Sequence, residues 1–397
     1  MLEPELSSNI EAVVDCVRLR WREARDRAKS ARIELFAKTS IRSRATRDVD
    51  GSGVTFDHAR ESGIAVRVSR AGHDHSGFAA ASGLSSDSVR WAVDTAFTLC
   101  AQATSSAPDP SDSIEPERWD LDPSVAVPDE LTLTGGLTSR PNLQWVEAGT
   151  TTEVLIGAEG WLAARRRHRV WALGGGGSPK LVAQRGFAGW EELVDASDRA
   201  EFAPSPSDSI DLGLVALTRD AASSVVAALV DAFHGPASVP SGECGHGWEV
   251  SDEPVRPDGL VGGSFDDAGF PSLSRALAGE GLWQGKLGGP GTLRRNSFRD
   301  PPSEAPSNLF IPSGKAESVP AHVAVARRCR VLQLSHELWV LELDFDNFSN
   351  RRDWERRWVR VRPRALVAAC ASRLGHTKAT ANGPIVPGLL FEGLVTE

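Results

Sequence analysis

Residues 211–235 read DLGLVALTRDAASSVVAALVDAFHG, and they mark where the second half of the chain opens. LGLVAL is a short apolar run of strand character. Asp220 to Phe233 then reads as a helix, ended by His234-Gly235. Just upstream lies EFAPSPSDS (201–209), a Ser/Pro stretch of linker composition. At 397 residues the chain is too long for one typical core. The reading is therefore two domains in an α+β fold: a mixed N-terminal α/β domain over 1–205, then a β-rich C-terminal domain over 206–397.

Working outward toward the N-terminus, Ile10 to Ala31 predicts a helix. Val13, Val14, Val17, Trp21, Ala24 and Ala28 recur at three- and four-residue spacing, and Ser7 and Ser8 can cap its start. Ile33, Leu35 and Ala37 alternate, as do Ile64, Val66 and Val68, with Gly-containing turns between the runs, so 31–83 predicts three or four strands. Ser85 to Ala103 predicts a second helix through Val89, Ala92, Val93, Ala96 and Leu99. Residues 104–142 are rich in Ser, Pro and Asp and read as a surface wrap with one helical turn near Asp120 to Ser124. TTEVLIGAEGWLAARRRHRVWALGGGG (151–177) reads as a hairpin with a Gly-rich end, and Arg165, Arg166 and Arg167 on it as a short solvated charge run.

Toward the C-terminus, 236–314 is Gly- and Pro-rich, with irregular structure or short strands expected. VLQLSHELWVLELDFDNF (331–348) reads as one long strand, RPRALVAACASRLG (362–375) as a helix and GPIVPGLLFEGL (383–394) as a closing strand.

The net charge of −9 argues against a nucleic-acid footprint. No segment has the apolar length of a membrane span, and the acidic start lacks the basic and apolar regions of a secretory signal. Five scattered cysteines, an odd number, fit free thiols in a reducing cytoplasm. His336-Glu337 has no second His at metal-binding distance and sits in an alternating, strand-like run. Cys244-Gly-His246 and His73-Asp-His75 read more simply as turns than as ligand pairs. The glycines at 174–177 and GLWQGKL (281–287) lack phosphate-loop spacing. Asp344, Asp346 and Asn347 lack the Gly and terminal Glu of a calcium loop. Asp266 and Asp267 are adjacent, so in an extended segment their carboxylates point to opposite faces and suit a turn or interface better than paired acid–base work. Most of the twelve Trp residues should anchor cores or interfaces.

Several segments, in order, resemble the TldD/TldE family, also called PmbA or modulator-of-gyrase proteins. SGIAVRVSRAGHDHSGFAAASG (62–83) carries Gly63, Arg67, Gly77, Phe78 and Ala80 on the family pattern, and DSVRWAVDTAFTLCAQA follows as its helix. The strand and helix of 213–235 match the opening of the family's C-terminal domain. SFDDAGFPSLSRALAGEGLWQGKL (264–287) matches through Asp266, Asp267, Gly269, Pro271, Gly281 and Leu282, with Ala268 where an acidic residue is usual. PSEAPSNLFIPSG (302–314) matches through Pro306, Ser307, Asn308, Leu309 and Gly314. The closing strand is similar too, whereas 316–380 departs from the pattern and lacks the family's Gly-rich strands.

TldD-type members carry HExxxH on the helix that here reads DAASSVVAALVDAF. Two His one turn apart would bind zinc, with the Glu handling the proton of metal-bound water. This helix supplies none of the three, which is the TldE-like pattern. The resemblance implies no catalytic residue, metal ligand or cofactor in this chain, with zinc on a TldD-like partner. It also implies a cytoplasmic heterodimer acting on peptides, and Asp266, Asp267 and Asn308 as groove or interface candidates. The alternative is a stand-alone homodimeric peptide-binding scaffold without protease activity. A third reading relocates metal ligands to Cys244 and His246.

Overall fold

In the computed structural model, which describes residues 10–28, 31–48, 51, 53–70, 75–101, 117–123, 126–174, 180–188, 213–234, 242–245, 248–283, 287–295, 297–314, 319, 323–335, 337–346, 354–380 and 384–394, the chain is α+β. Helix α1 (Ile10–Ala28) buries Val13, Val14, Val17, Trp21 and Ala24. Strands β1 (Ala31–Arg47) and β2 (Val54–Arg70) pair antiparallel from Ala31↔Arg70 to Arg47↔Val54, and β3 (Ser76–Ser82) adds to β2. Helix α2 (Ser86–Cys100) starts at Ser85, whose hydroxyl accepts from the Ser88 N–H. Strand β4 (Glu117–Leu121), helix α3 (Glu130–Thr138), and strands β5 (Leu143–Ile156), β6 (Leu162–Gly174) and β7 (Lys180–Arg185) complete the first half. The sheet runs β3-β2-β1-β5-β6-β4, with β7 also on β6.

One face of this sheet is apolar. Ile33, Leu35, Ala37, Ile64, Val66 and Val68 pack under α1 and α2. Farther along the same face, Ala45, Val146, Ala148, Val170 and Ala172 pack under Leu133 and Leu137 of α3. The opposite face carries Phe36, Lys38, Ser40, Arg42 and Arg44 on β1 and turns toward loops of the second half.

That half holds β8 (Leu214–Leu217), α4 (Arg219–His234), β9 (Gly242–Glu243), β10 (Val250–Asp252), β11 (Arg275–Gly279), β12 (Leu282–Trp283), β13 (Leu293–Arg294), β14 (Ser303–Glu304), β15 (Leu309–Phe310), β16 (Ala324–Gln333), β17 (Trp339–Asp346), β18 (Trp354–Val361), α5 (Pro363–Ala369), β19 (Cys370–Ala379) and β20 (Ile385–Glu392). Its main sheet runs β18-β17-β16-β8-β20-β15-β10-β11-β12-β9, with β19 on β20, while β13 and β14 form a separate ribbon. The core joins α4 to the strands through Val225, Val226, Leu229 and Phe233, and through Trp248, Trp283 and Phe391. Trp283 meets Trp248 edge-on at 5.6 Å and Phe233 at 5.0 Å, contacts worth about 0.5–1.5 kcal/mol each beyond their buried area.

The structure corrects five local expectations. Residues 117–121 form a strand parallel to β6 rather than a helical turn, because Arg166 and Arg167 hold its Asp120 and Asp122 ends; positions 124 and 125 lie outside the described residues. Helix α3 lies inside the stretch expected to wrap. Its internal glycines, Gly135 and Gly136, lower its propensity, but Asp129 caps it and Leu133 and Leu137 anchor it. VLQLSHELWVLELDFDNF is two strands, not one, because the Leu334 and Ser335 N–H groups both donate to the Leu338 carbonyl and close a turn there. The helix expected over 362–375 stops at Ala369, since Cys370 takes an extended conformation and pairs with Phe391 of β20. Arg165, Arg166 and Arg167 are buried at 6%, 6% and 4% exposure, not solvated: Arg165 and Arg167 meet Asp267 and Gly262 of the second half, and Arg166, on the other face, donates to the Asp122 carbonyl. The 201–209 stretch, His73, His246, His336, Trp190, Asn347 and glycines 175–177 lie outside the described residues.

Candidate functional site: the junction of the two sheets

The polar face of the first sheet meets the 252–311 loops, and this junction collects most residues of the ordered motifs. Phe36, Ala65, Leu155, Trp161 and Ala163 of the sheet pack with Phe265 and Phe298 of the loops. Two glycines make that fit possible. The Phe298 ring lies where a Cβ on Gly63 would go, and Trp161 occupies the corresponding space at Gly269, whose φ of +93° also favours glycine. Gly77 lets the Ala96 carbonyl of α2 approach β3 in the same way. Arg67 pairs with Glu34, and Arg295 stacks over Phe36 and Phe78 at 4.7 and 5.4 Å.

Asp266 is fully buried. Its Oδ1 accepts from the Ala268 and Phe270 N–H groups, both at 2.9 Å. Its Oδ2 accepts from Gly291 at 2.8 Å and Leu293 at 3.2 Å. One carboxylate thus ties the 264–272 turn to the 287–295 segment. Burial raises its pKa, against the pull of these backbone donors. The Asp267 carboxylate points elsewhere, accepting from Arg165 Nη2 at 2.5 Å and from the Arg295 N–H at 2.6 Å.

Arg165 also donates from Nε to Glu153 at 2.8 Å, and Glu153 meets Lys38 at 3.1 Å. Burial alone would raise Glu153, but Arg165 and Lys38 outweigh it and hold the carboxyl well below the usual range. Burial lowers Arg295 to about 10. Asp120 closes the row, pairing with Arg167 and accepting the Ser264 N–H at 2.6 Å.

Asn308, also fully buried, staples the 253–261 loop. Its Oδ1 accepts from the Val261 N–H at 3.0 Å, and its Nδ2 donates to the Glu253 and Pro254 carbonyls at 3.2 Å. Asp252 accepts from the Ser307 and Asn308 N–H groups and the Ser307 hydroxyl. Each of the three groove or interface candidates therefore has its polar atoms committed within the chain, and Asn308 does not share partners with the two aspartates. Sequence reasoning missed Arg165, Glu153 and Asp120; the every-other-residue spacing of Arg165, Arg167 and Arg169 on one strand face was the available signal.

Helix α4 is packed into the core of the second half. Val225, Val226, Leu229 and Val230 are buried, and Ser223 and Ser224 donate back to the Asp220 carbonyl. Its carboxylates, Asp220 and Asp231, are eleven positions apart and share no turn, and the stretch between them is Ala, Ser, Val and Leu, which does not fit a zinc ion. Among the described residues, no three His, Cys, Asp or Glu side chains come together as a metal site. Cys244 is buried, and burial raises its thiol. All five cysteines are buried and unpaired with one another. No described helix is long and apolar enough to cross a membrane.

No protein-family model matches the sequence, and no curated protein matches it significantly. Solved structures do match. TldE from Thermococcus kodakarensis superposes with a TM-score of 0.64 at 12% identity, over 96% of this chain and 98% of that one. A candidate modulator of a DNA gyrase from Thermotoga maritima gives 0.64 at 11% identity, over 94% and 99%. Another from Bacteroides thetaiotaomicron gives 0.61 at 11%, over 96% and 97%. Over nearly its whole length, the chain has the fold of TldE and of the gyrase-modulator proteins.

Proposed function

We propose that this chain is a non-catalytic, TldE-like subunit of a zinc-dependent peptidase, paired with a TldD-like chain that carries HExxxH and the metal. The carrying observation is helix α4. By the sequence resemblance it corresponds to the helix that carries HExxxH in TldD-type members, yet from Ala221 to Val230 it reads only Ala, Ser, Val and Leu. The complex would act on peptides in the cytoplasm, in maturation, antitoxin turnover or trimming of peptide-like conjugates. Five buried free thiols are consistent with that compartment. The experiment is to purify the chain alone and with a TldD-type partner, then measure zinc content and peptide cleavage. Zinc and cleavage are expected only when the partner is present.

A second reading is a stand-alone homodimeric peptide-binding scaffold. It draws on the divergent β16–β18 meander, where Leu334 and Trp358 are 62% and 60% exposed. Native mass spectrometry separates the two, since a tight homodimer that ignores the partner favours the scaffold.

A further inference from the structure

The polar face of the first sheet can be followed row by row, because residues directly opposite across paired strands share a face. Lys38, Glu153, Arg165 and Asp120 form one row, and its charges alternate in sign. Ser40, Thr151 and Arg167 form the next, with Arg167 taken up by Asp120. Two rows beyond that, Arg44 pairs with Glu147 at 2.6 Å beside Trp171. Between them runs Arg42, Gly149, Arg169 and Arg185: three arginines, one glycine and no acid.

Like charges facing one another across a sheet are destabilising unless something compensates them. Arg185 is compensated, since Nε and Nη2 both reach Asp122, at 2.8 and 2.5 Å. Arg169 is not. Among the described residues it has no hydrogen-bond or ion-pair partner, and its Nε is shielded from solvent and unsatisfied. The nearby acids are engaged: Glu153 by Arg165 and Lys38, Asp122 by Arg185. Burial lowers the Arg169 pKa, Glu153 opposes that, and Arg165 and Arg167 lower it further. A half-buried, shielded guanidinium of this kind carries a desolvation cost that an anion would offset.

Gly149 leaves a notch on β5 between the two, and the Arg42 stem lies in it: a Cβ on Gly149 would sit 3.1 Å from the Arg42 Cγ. Arg42 is exposed and likewise has no partner among the described residues. Its strand and that of Arg169 are two spacings apart, roughly 10 Å, within reach of two side chains converging on one ligand.

We propose that Arg42 and Arg169, over the Gly149 notch, bind an oxyanion, a carboxylate or a phosphate, entering from the exposed Arg42 end. Both present two or more oxygens, coplanar in a carboxylate and tetrahedral in a phosphate, that a guanidinium fork can hold with two bonds. The site does not depend on pairing with a protease, so its fate is separate from that of the subunit reading.

The test is calorimetric titration of the full chain in low-salt buffer with inorganic phosphate, and separately with trialanine and trialanine amide. At least one of phosphate or trialanine should bind. Binding of trialanine but not its amide identifies a carboxylate; binding of phosphate alone identifies a phosphate. Arg169→Gln should weaken that binding at least about tenfold, the loss of a charge-assisted pair of bonds. Arg44→Gln, which removes a cation already paired with Glu147, should change it by less than about twofold. Gly149→Ala closes the notch without altering charge and should also weaken binding; it carries the test if Arg169→Gln fails to fold. Absence of binding by both probes, or equal binding by wild type and the folded variants, would overturn the proposal.

Discussion

Helix α4 and the loops around Asp266 belong to the same half of the chain but bury opposite chemistries. The helix buries Val225, Val226 and Leu229 against the strands, and its polar groups bond back to its own backbone. The loops bury Asp266 and Asp267 among backbone N–H donors and arginines. The motif residues that carry the family resemblance cluster in the second region: Gly63, Phe78, Asp266, Asp267 and Gly269 all shape the contact between the sheets. The contrast separates two kinds of support: α4 is held by apolar packing, whereas the loops that join the two sheets are held by buried carboxylates, so a change in one region need not loosen the other.

That contrast can be broken most sharply at Asp266. Asp266→Ala strands four buried N–H groups at once, and about 3–5 kcal/mol of stability should be lost in chemical denaturation. A loss under about 1 kcal/mol would mean that the loops are not organised by this carboxylate.

Glu153 gives an effect of middle size with a pH signature. Its folded-state pKa is depressed below the ordinary 4.5. Its stabilising contribution is therefore fully present above that value and is lost as pH falls below it. Glu153→Gln should cost about 2–3 kcal/mol near neutral pH, somewhat less than a fully broken buried pair because Asp267 still faces Arg165. The variant should also lose less stability than wild type on acidification from pH 5 to pH 3, which urea melts across that range would show.

The smallest effect is expected on α4. Ser224→Ala removes a half-buried hydroxyl that only returns to the Asp220 carbonyl at 3.3 Å. It should shift stability by no more than about 0.5 kcal/mol and leave the activity of any complex unchanged. A large loss of activity without unfolding would give this helix a chemical role.

The long elements were legible in the sequence because burial on one face imposes a period. Val13, Val17 and Trp21 announced α1, and Ile64, Val66 and Val68 announced β2. The lack of HExxxH in α4 was legible too, since an absent motif needs no geometry. Helix α3 was not, because capping by Asp129 and packing of Leu133 overrode two glycines. The break in 362–375 depends on Cys370 finding Phe391, a partner far along the chain that no local pattern reveals. The junction was hidden for the same reason: Arg165 looks solvated until the loop bearing Asp267, about a hundred positions away, is laid on it.

Zinc content and peptide cleavage, measured for the chain alone and with a TldD-type partner, decide whether this chain supplies metal chemistry itself. No stoichiometric zinc and no cleavage are expected for the chain alone, with both present in the pair. Stoichiometric zinc with cleavage by this chain by itself would contradict it.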